Sequence, residues 1–462
     1  MFARHAGPAA LLLAAAALGS SCTSHREKTS PTDGWTLIGS KQGQSAALVD
    51  WDGDGIQDKL VGAPYATSAS GSVGAVLVYV GRGSGFATQP AAVLAGDDNF
   101  GFSVADVGDL DGDGRSDFAV AAIAGDGEGA SLCGAVTVFR GGTRGEKLVK
   151  LSGGVPLAKF GYALAAGDFD GDGHRDLAIG APFHTEDPAL YQAGAVHVFF
   201  GPDFSRSLQL SATSGAQGLG WSVAAGDLDG DGRADLLLGA AGKVIGFYGS
   251  TPFAPSFAAP DVVVGGSAGS LGRALAVVGD VDGDGLPELA IGAPGATFGG
   301  GRDSGSLYLV RGGPGPRSVN LDASPADPSL LVRIDGSGAF QRFGASVVAV
   351  ADLDADGRAD LAVGAPLADV PGMPLAGRVY LLEGKDLGPG ASLASATAFG
   401  GVTRSQGFGS SLWPCAGGRL LIGAPRAEAD TGGVAMVDLA TGLPVPGGGS
   451  GGADGGGNGD CH

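Results

Sequence analysis

The sequence predicts an all-β fold, a seven-bladed β-propeller whose N-terminal strand closes the last blade. Three observations predict it. A nine-residue acidic string recurs six times at long, nearly constant spacing. A Gly-Ala-Pro triplet or its relic follows each copy at a fixed offset. The chain between copies breaks into short apolar runs separated by Gly-rich turns. A fixed long period means one supersecondary unit per repeat, and radial repetition of four-stranded units leaves only short edges.

The strings read DWDGDGIQD (50–58), DLDGDGRSD (109–117), DFDGDGHRD (168–176), DLDGDGRAD (227–235), DVDGDGLPE (280–288) and DLDADGRAD (352–360). Their first residues are 59, 59, 59, 53 and 72 positions apart. Beyond them stand Gly62–Pro64, Gly180–Pro182, Gly292–Pro294 and Gly364–Pro366, with AAI at 121 and GAA at 239. A seventh triplet, Gly423–Pro425, has no acidic string before it. A Gly precedes each string by seven or eight residues, often after Phe, as in Phe100-Gly101, Phe160-Gly161 and Phe343-Gly344; Phe408-Gly409 opens the copy without a string. Seven units follow, six of them with the acidic loop.

Within a unit, GFSVADVGD (101–109) leads into the loop and DLAIGAP (176–182) leaves it with a period of two. GAVTVFRG (134–141) and KLVKLSG (147–153) are third and fourth runs of the same kind. The last unit has a third run, GGVAMVDL (432–439), and then a Gly-rich tail. WTLIG (35–39) stands alone ahead of the first unit and is expected to supply the missing fourth strand. The propeller is thus expected over 35–439, after a polar linker (22–34) and before a flexible tail (440–462).

Composition agrees. Gly is 89 of 462 residues, 44% are apolar and only 7% aromatic. That is enough to bury a core and unlike a disordered chain. The net charge of −20 argues against nucleic acid or an anionic bilayer as a partner of the bare chain. Cys22, Cys133, Cys415 and Cys461 show no Cys-x-x-Cys spacing, so neither zinc nor redox chemistry is indicated. The six histidines lack nucleophile or ligand spacing. A Gly-x-Ser-x-Gly string at Gly448–Gly452 lies in the glycine tail, without the strand–turn–helix of a nucleophile elbow. No catalytic residue is expected and no organic cofactor.

The acidic loops carry the chemistry. Alternate oxygen ligands suit a hard cation such as Ca²⁺. The expected ligands are Asp50, Asp52, Asp54 and Asp58; Asp109, Asp111, Asp113 and Asp117; Asp168, Asp170, Asp172 and Asp176. They continue as Asp227, Asp229, Asp231 and Asp235; Asp280, Asp282, Asp284 and Glu288; Asp352, Asp354, Asp356 and Asp360. The main-chain carbonyls of Ile56, Arg115, His174, Arg233, Leu286 and Arg358 would add one ligand each. An EF-hand needs a bidentate Glu at position twelve, where this chain has Val61, Val120, Ile179, Leu238, Ile291 and Val363. The alternative is an Asx-rich turn with solvated carboxylates. The loops hold 24 of the 48 acidic residues, and six Ca²⁺ ions would move −20 to −8.

Phe-Gly, the D-x-D-x-D-G-x-x-D loop and Gly-Ala-Pro together resemble the FG-GAP repeats of integrin α-chain propellers and their bacterial relatives, over roughly 35–439. The resemblance implies Ca²⁺ in hairpin loops on one face of the disc and ligands on the other. Glu288, Ala355 and the loop-less seventh unit depart from the pattern. The N-terminus, with Arg4, the apolar run 9–19 and SSC at Cys22, resembles a bacterial lipoprotein signal. That implies cleavage after residue 21, lipidation of Cys22 and a cell-envelope location, with membrane contact through the lipid alone. Cleavage after Gly19 and plain secretion is the alternative.

Two functional classes remain: a Ca²⁺-dependent binding or adhesion module for a protein or glycan, or a scaffold in which Ca²⁺ only stiffens hairpins. An envelope hydrolase is a third. Among the loops between second and third strands, FHTEDPALYQ (183–192) has the aromatic and charged mix of a binding loop, through Phe183, His184, Tyr191, Glu186 and Asp187.

Overall fold

The computed structural model describes residues 35–36, 40–441 and 444, apart from 70, 72, 83–84, 128–130, 187–189, 191, 213–217, 299–300, 324–326, 405, 416 and 427–431. The leader, Cys22, the linker and Cys461 lie outside the described residues.

Each repeat is an antiparallel array whose strands pair in chain order. In unit 3 these are Leu164–Gly167, Asp176–Ala181, Ala195–Phe200 and Arg206–Ser211. Burial changes across the array for a visible reason. The first strand is short and made of small residues. The second, DLAIGA, is buried at every position. The fourth, RSLQLS, carries polar residues on an open edge, where they discourage pairing with other chains. Five other repeats build four strands in the same way, beginning at Ala46–Val49, Phe100–Gly108, Ser222–Gly226, Ala274–Val278 and Ser346–Val350. The last comprises Ser411–Cys415, Arg419–Gly423 and Val434–Asp438.

The apolar core lies between units. One cluster joins Ala178 and Val198 of unit 3 to Leu236 and Ile245 of unit 4. Others join units 1 and 2, 2 and 3, 4 and 5, 5 and 6, and 6 and 7. A further cluster joins Leu48, Val61 and Leu77 of unit 1 to Leu421, Val434 and Met436 of unit 7. The first strands of all seven units line a common cavity of about 700 Å³.

A backbone contact repeats at these junctions. The Gly of each Gly-Ala-Pro packs on the carbonyl of the Phe-Gly glycine in the next unit. A Cβ at Gly62 would lie 2.1 Å from the Gly101 oxygen, and one at Gly364 would lie 2.0 Å from the Gly409 oxygen. A Cβ at Gly423 would lie 2.1 Å from the Gly43 oxygen, the same step taken from unit 7 to unit 1. The Ser346 hydroxyl donates to Gly409 O at 2.8 Å and the Ser411 hydroxyl to Gly43 O at 2.7 Å.

One expectation is corrected. Trp35–Thr36 does not join unit 7; it pairs antiparallel with Ser68 and Thr67. The second strand of unit 1 runs from Asp58 to Ser68, eleven residues where its counterparts in units 2 to 6 have six, and its extension offers a free partner. Residues 37–39 lie outside the described residues. Units 7 and 1 meet instead through a parallel bridge of Gln42 with Gly432. The outer edge of unit 7 takes a single bridge, Val437 with Pro444, from the chain that follows it.

Substituting Gly423→Ala should therefore destabilise the protein as much as Gly364→Ala, each by about 1–3 kcal/mol of overpacking. Gly55, with open space around it, should lose less as Ala despite its φ of +82°. Thermal melts of the three variants check this. A silent Gly423→Ala would mean that units 7 and 1 are not sealed like the others.

Candidate metal centre

Each acidic loop joins the first and second strands of its unit, and its first carboxylate organises the turn. Asp168 accepts from the amides of Gly171, Asp172 and Gly173 at 2.7, 3.1 and 2.9 Å. Gly171 and Gly173 reach this shape at φ +72° and +90°, where a side chain is strained. Asp50, Asp109, Asp227 and Asp280 accept the same three bonds. In the sixth loop Ala355 takes φ +59° in place of glycine, and Asp352 keeps the bonds from Asp356 and Gly357.

The ninth position anchors the loop to the sheet. Asp176 accepts from Phe169 N at 2.9 Å and from Gly201 N, after the third strand, at 3.0 Å. Asp58, Asp117, Asp235 and Asp360 make the equivalent pair of bonds. Glu288 differs. Its Oε2 accepts from Val281 N at 2.7 Å, while Oε1 is buried and has no hydrogen-bond partner among the described residues.

Ligand-type oxygens converge within 4.8 Å of one another at Asp50, Asp52 and Asp58; at Asp109, Asp111 and Asp117; at Asp168, Asp170 and Asp176; and at Asp227, Asp229 and Asp235. In the fifth loop Asp280, Asp282, Asp284 and Glu288 all converge. The fifth-position acids Asp54, Asp113, Asp172 and Asp231 stand outside these groups. Each accepts from the amide of the seventh residue, Ile56, Arg115, His174 or Arg233, as Asp284 and Asp356 do from Leu286 and Arg358. The convergent oxygens and the orphaned Glu288 Oε1 fit a divalent cation.

Sequence spacing did not reveal that a basic side chain reaches the third-position acid in five of the loops, as Arg140 does Asp111 at 2.7 Å. Nor did it reveal the aromatic arc at the opposite end of the strands. The residue after each Phe-Gly-type pair stands at the start of the first strand. In units 2 to 5 these residues are Phe102, Tyr162, Trp221 and Arg273. The first two rings lie 5.1 Å apart, the next two 4.9 Å, and the Arg273 guanidinium is 4.1 Å from the Trp221 ring centre. Phe183 packs edge-on to Trp221 at 5.1 Å, and the Lys159 ammonium lies over the Phe183 ring, 4.5 Å from its centre. His184 is buried rather than presented, because its ring sits against His197 and its Nε2 lies 3.3 Å from Glu186. Asp187 and Tyr191 lie outside the described residues. Cys133 and Cys415 are free thiols.

The FG-GAP repeat signature matches residues 160–199, 219–249, 271–310 and 343–382, and the FG-GAP-like repeat matches 109–179. The chain is an FG-GAP repeat protein. It resembles the integrin α N-terminal propeller: integrin alpha-5 of Xenopus laevis is 32% identical over 45% of this chain, and integrin alpha-V of Gallus gallus 29% over 60%. A phosphatidylinositol-glycan-specific phospholipase D of Rattus norvegicus is 30% identical over 46%. The matched parts span only 19–21% of those three relatives. Among the described residues no helix is long and apolar enough to cross a membrane.

Burial raises the pKa of every ninth-position acid of these FG-GAP loops, and the neighbouring loop carboxylates raise it further. Asp176 reaches about 6, and Asp235 and Glu288 about 7; Asp58, Asp117 and Asp360 shift in the same direction. The sign follows from linkage: an acid whose pKa is raised by folding favours the metal-free fold while it is protonated. That contribution is lost as pH rises through about 6–7 and the acid ionises. A cation needs the ionised form and must release the proton. Cation affinity at loops 4 and 5 should fall roughly twentyfold from pH 7.5 to 5.5 for a group titrating near 7. Calorimetry in buffers of different ionisation heat measures both the affinity and the released protons; an affinity flat across that range is the contrary result.

Proposed function

We propose that this FG-GAP protein is a closed seven-bladed propeller that binds up to six Ca²⁺ ions and serves as a binding or adhesion module for a protein or glycan on the cell envelope. Closure is supported by the core shared between units 7 and 1 and by the Gly423–Gly43 contact. Ca²⁺ rather than a softer ion is supported by all-oxygen ligand sets. The thirty residues given above, from Asp50 to Asp360, are the proposed ligands, the seventh-position carbonyls included. The cell envelope is supported by the lipoprotein-like leader at Cys22.

The observation that carries the binding reading is the arc Phe102–Tyr162–Trp221–Arg273. Partly exposed rings on a rigid scaffold supply contact area with little loss of side-chain freedom, and aromatic and Arg side chains dominate binding energy at interfaces. Strand direction sets the arc and residues 183–186 at one end of the units and the acidic loops at the other. The acidic loops' carboxylates already bond their own backbone. The scaffold reading has its own support, since Arg273 and Lys159 already cover faces of Trp221 and Phe183. The reading takes the chain as non-catalytic: His184 and His197 are buried, and neither faces a nucleophile among the described residues.

Chelation should lower the melting temperature, because the metal binds only the folded state, and millimolar Ca²⁺ should restore it at Kd on the order of 10⁻⁴–10⁻³ M. Fewer than three sites at millimolar Ca²⁺ would defeat the six-site reading. Pull-down and glycan-array screening with and without Ca²⁺, comparing the parent with Tyr162→Ala/Trp221→Ala, tests the module. Capture lost in the double variant at unchanged melting temperature supports recognition at the arc. Capture of nothing by either protein favours the scaffold.

A further inference from the structure

Unit 7 lacks the acidic loop, and its shorter turn puts the opposite charge in the same place. Each acidic loop ends on a carboxylate four residues before the triplet glycine: Asp58, Asp117, Asp176, Asp235, Glu288 and Asp360. Arg419 stands four residues before Gly423. The reversal extends across the strand pair. Asp438 faces Arg419 at the end of the third strand, where units 2 and 5 have Arg140 and Arg311. The amide that serves the ninth carboxylate elsewhere is also reassigned. Gly141, Gly201 and Gly249 donate to Asp117, Asp176 and Asp235, whereas Leu439, at the same place in unit 7, donates to Gly418 O at 2.9 Å. A backbone carbonyl therefore closes the turn, and position 419 has no acceptor to supply.

Arg419 lines a cavity of about 360 Å³ between units 7 and 1. Arg82 of unit 1 lines it too. That residue belongs to a small hairpin, Gly81–Arg82 paired with Gly85–Phe86, whose base is held by Gly81 N donating to Asp58 at 2.7 Å. Among the described residues neither guanidinium makes an ion pair or a side-chain hydrogen bond. Asp438, the carboxylate across from Arg419, accepts from the amide and hydroxyl of Thr441. No described carboxylate lines the cavity, although the chain carries 48 acids against 28 Lys and Arg. Leu48, Ile56, Phe86 and Met436 give it an apolar wall.

We infer that this cavity is a site for a small, soluble amphipathic anion, its carboxylate or phosphate head on Arg82 and Arg419 and its apolar body on Leu48, Ile56, Phe86 and Met436. Guanidinium forks match both head groups with paired, charge-assisted hydrogen bonds. Two of them left without partners beside an apolar wall, at the end of the units where carboxylates otherwise dominate, select for charge and for shape together. The inference does not depend on metal binding by the other six units.

The probes are octanoate and octyl phosphate, titrated by calorimetry into the full chain without added divalent cation, with octanol and acetate beside them. Both octyl anions should bind at one site, and octanol and acetate at least about tenfold more weakly. Arg82→Gln and Arg419→Gln should each weaken the octyl anions by about tenfold or more. Arg82 is exposed and Arg419 half-buried, so both variants should melt with the parent. If Arg419→Gln fails to fold, Arg82→Gln decides alone. Absence of binding by both octyl anions, equal binding by the variants, or equal binding of octanol or acetate overturns the inference. Sedimentation with vesicles of phosphatidylcholine and phosphatidic acid separates the sources of the head group. Arginine-dependent vesicle binding without binding of the free octyl anions would also overturn a soluble ligand.

Discussion

The closest constraint in this molecule is the contact of a glycine Cα with the carbonyl of the next unit. At Gly62, Gly180, Gly239, Gly292, Gly364 and Gly423 a Cβ would sit 2.0–2.2 Å from that oxygen. No side chain fits, so the triplet must begin with glycine wherever this step is taken. The contact sets the spacing of the buried second strands, and that spacing decides which side chains interlock between units. Unit 2 shows the rule by its exception. Its triplet begins with Ala121, whose Cβ stands 2.6 Å from where a Cβ on Gly161 of unit 3 would lie, so at that junction the glycine of the Phe-Gly pair is the residue that must stay bare.

From that frame the two ends of each unit acquire opposite characters. At one end the first and second strands turn through the acidic loop, and the ninth carboxylate is drawn under the sheet to accept amides from two connections. Burial that helps the fold hurts the charge, so the pKa of each of these acids is raised above the ordinary carboxylate value. At the other end, the residue after the Phe-Gly-type pair stands at the start of the first strand. In units 2 to 4 these residues are rings, each within 5.1 Å of the next, tilted or edge-on. Phe102, Tyr162 and Trp221 touch although 60 and 59 residues separate them in sequence.

How much of this was legible depended on whether it repeats. The acidic string, the Gly-Ala-Pro triplet and the four-strand rhythm recur, and their positions in the structure follow the sequence reading closely. The convergence of Asp168, Asp170 and Asp176 was legible for the same reason. The place of Asp172 outside the convergent group was not, because Asp284 holds the same position in its loop, accepts the same amide two residues on, and still converges. Arg206 over Phe200 was not legible either: the cation reaches its acid across 36 residues from a position no other unit uses. The strand at Trp35 misled for a different reason. Its count matched a vacancy in the last unit, but pairing is decided by which edge is free nearby, and the long strand ending at Ser68 provided one.

The junction of units 7 and 1 shows where the side chains depart furthest from the repeat. Gln42 holds the place that Phe100, Phe160, Phe343 and Phe408 hold elsewhere. It is fully buried, and among the described residues both polar atoms of its side-chain amide lack partners. Lys59 holds the place of Phe118, Leu177, Leu236, Leu289 and Leu361, with its ammonium over the rings of Tyr79 and Phe86 and its pKa brought down to about 7 by burial. An unpaired buried amide and a desolvated amine each cost stability that an apolar side chain would not. Yet the glycine step, the serine bond and the apolar cluster at this junction match the others. The backbone contact therefore holds units 7 and 1 in register while the side chains between them depart from the repeat.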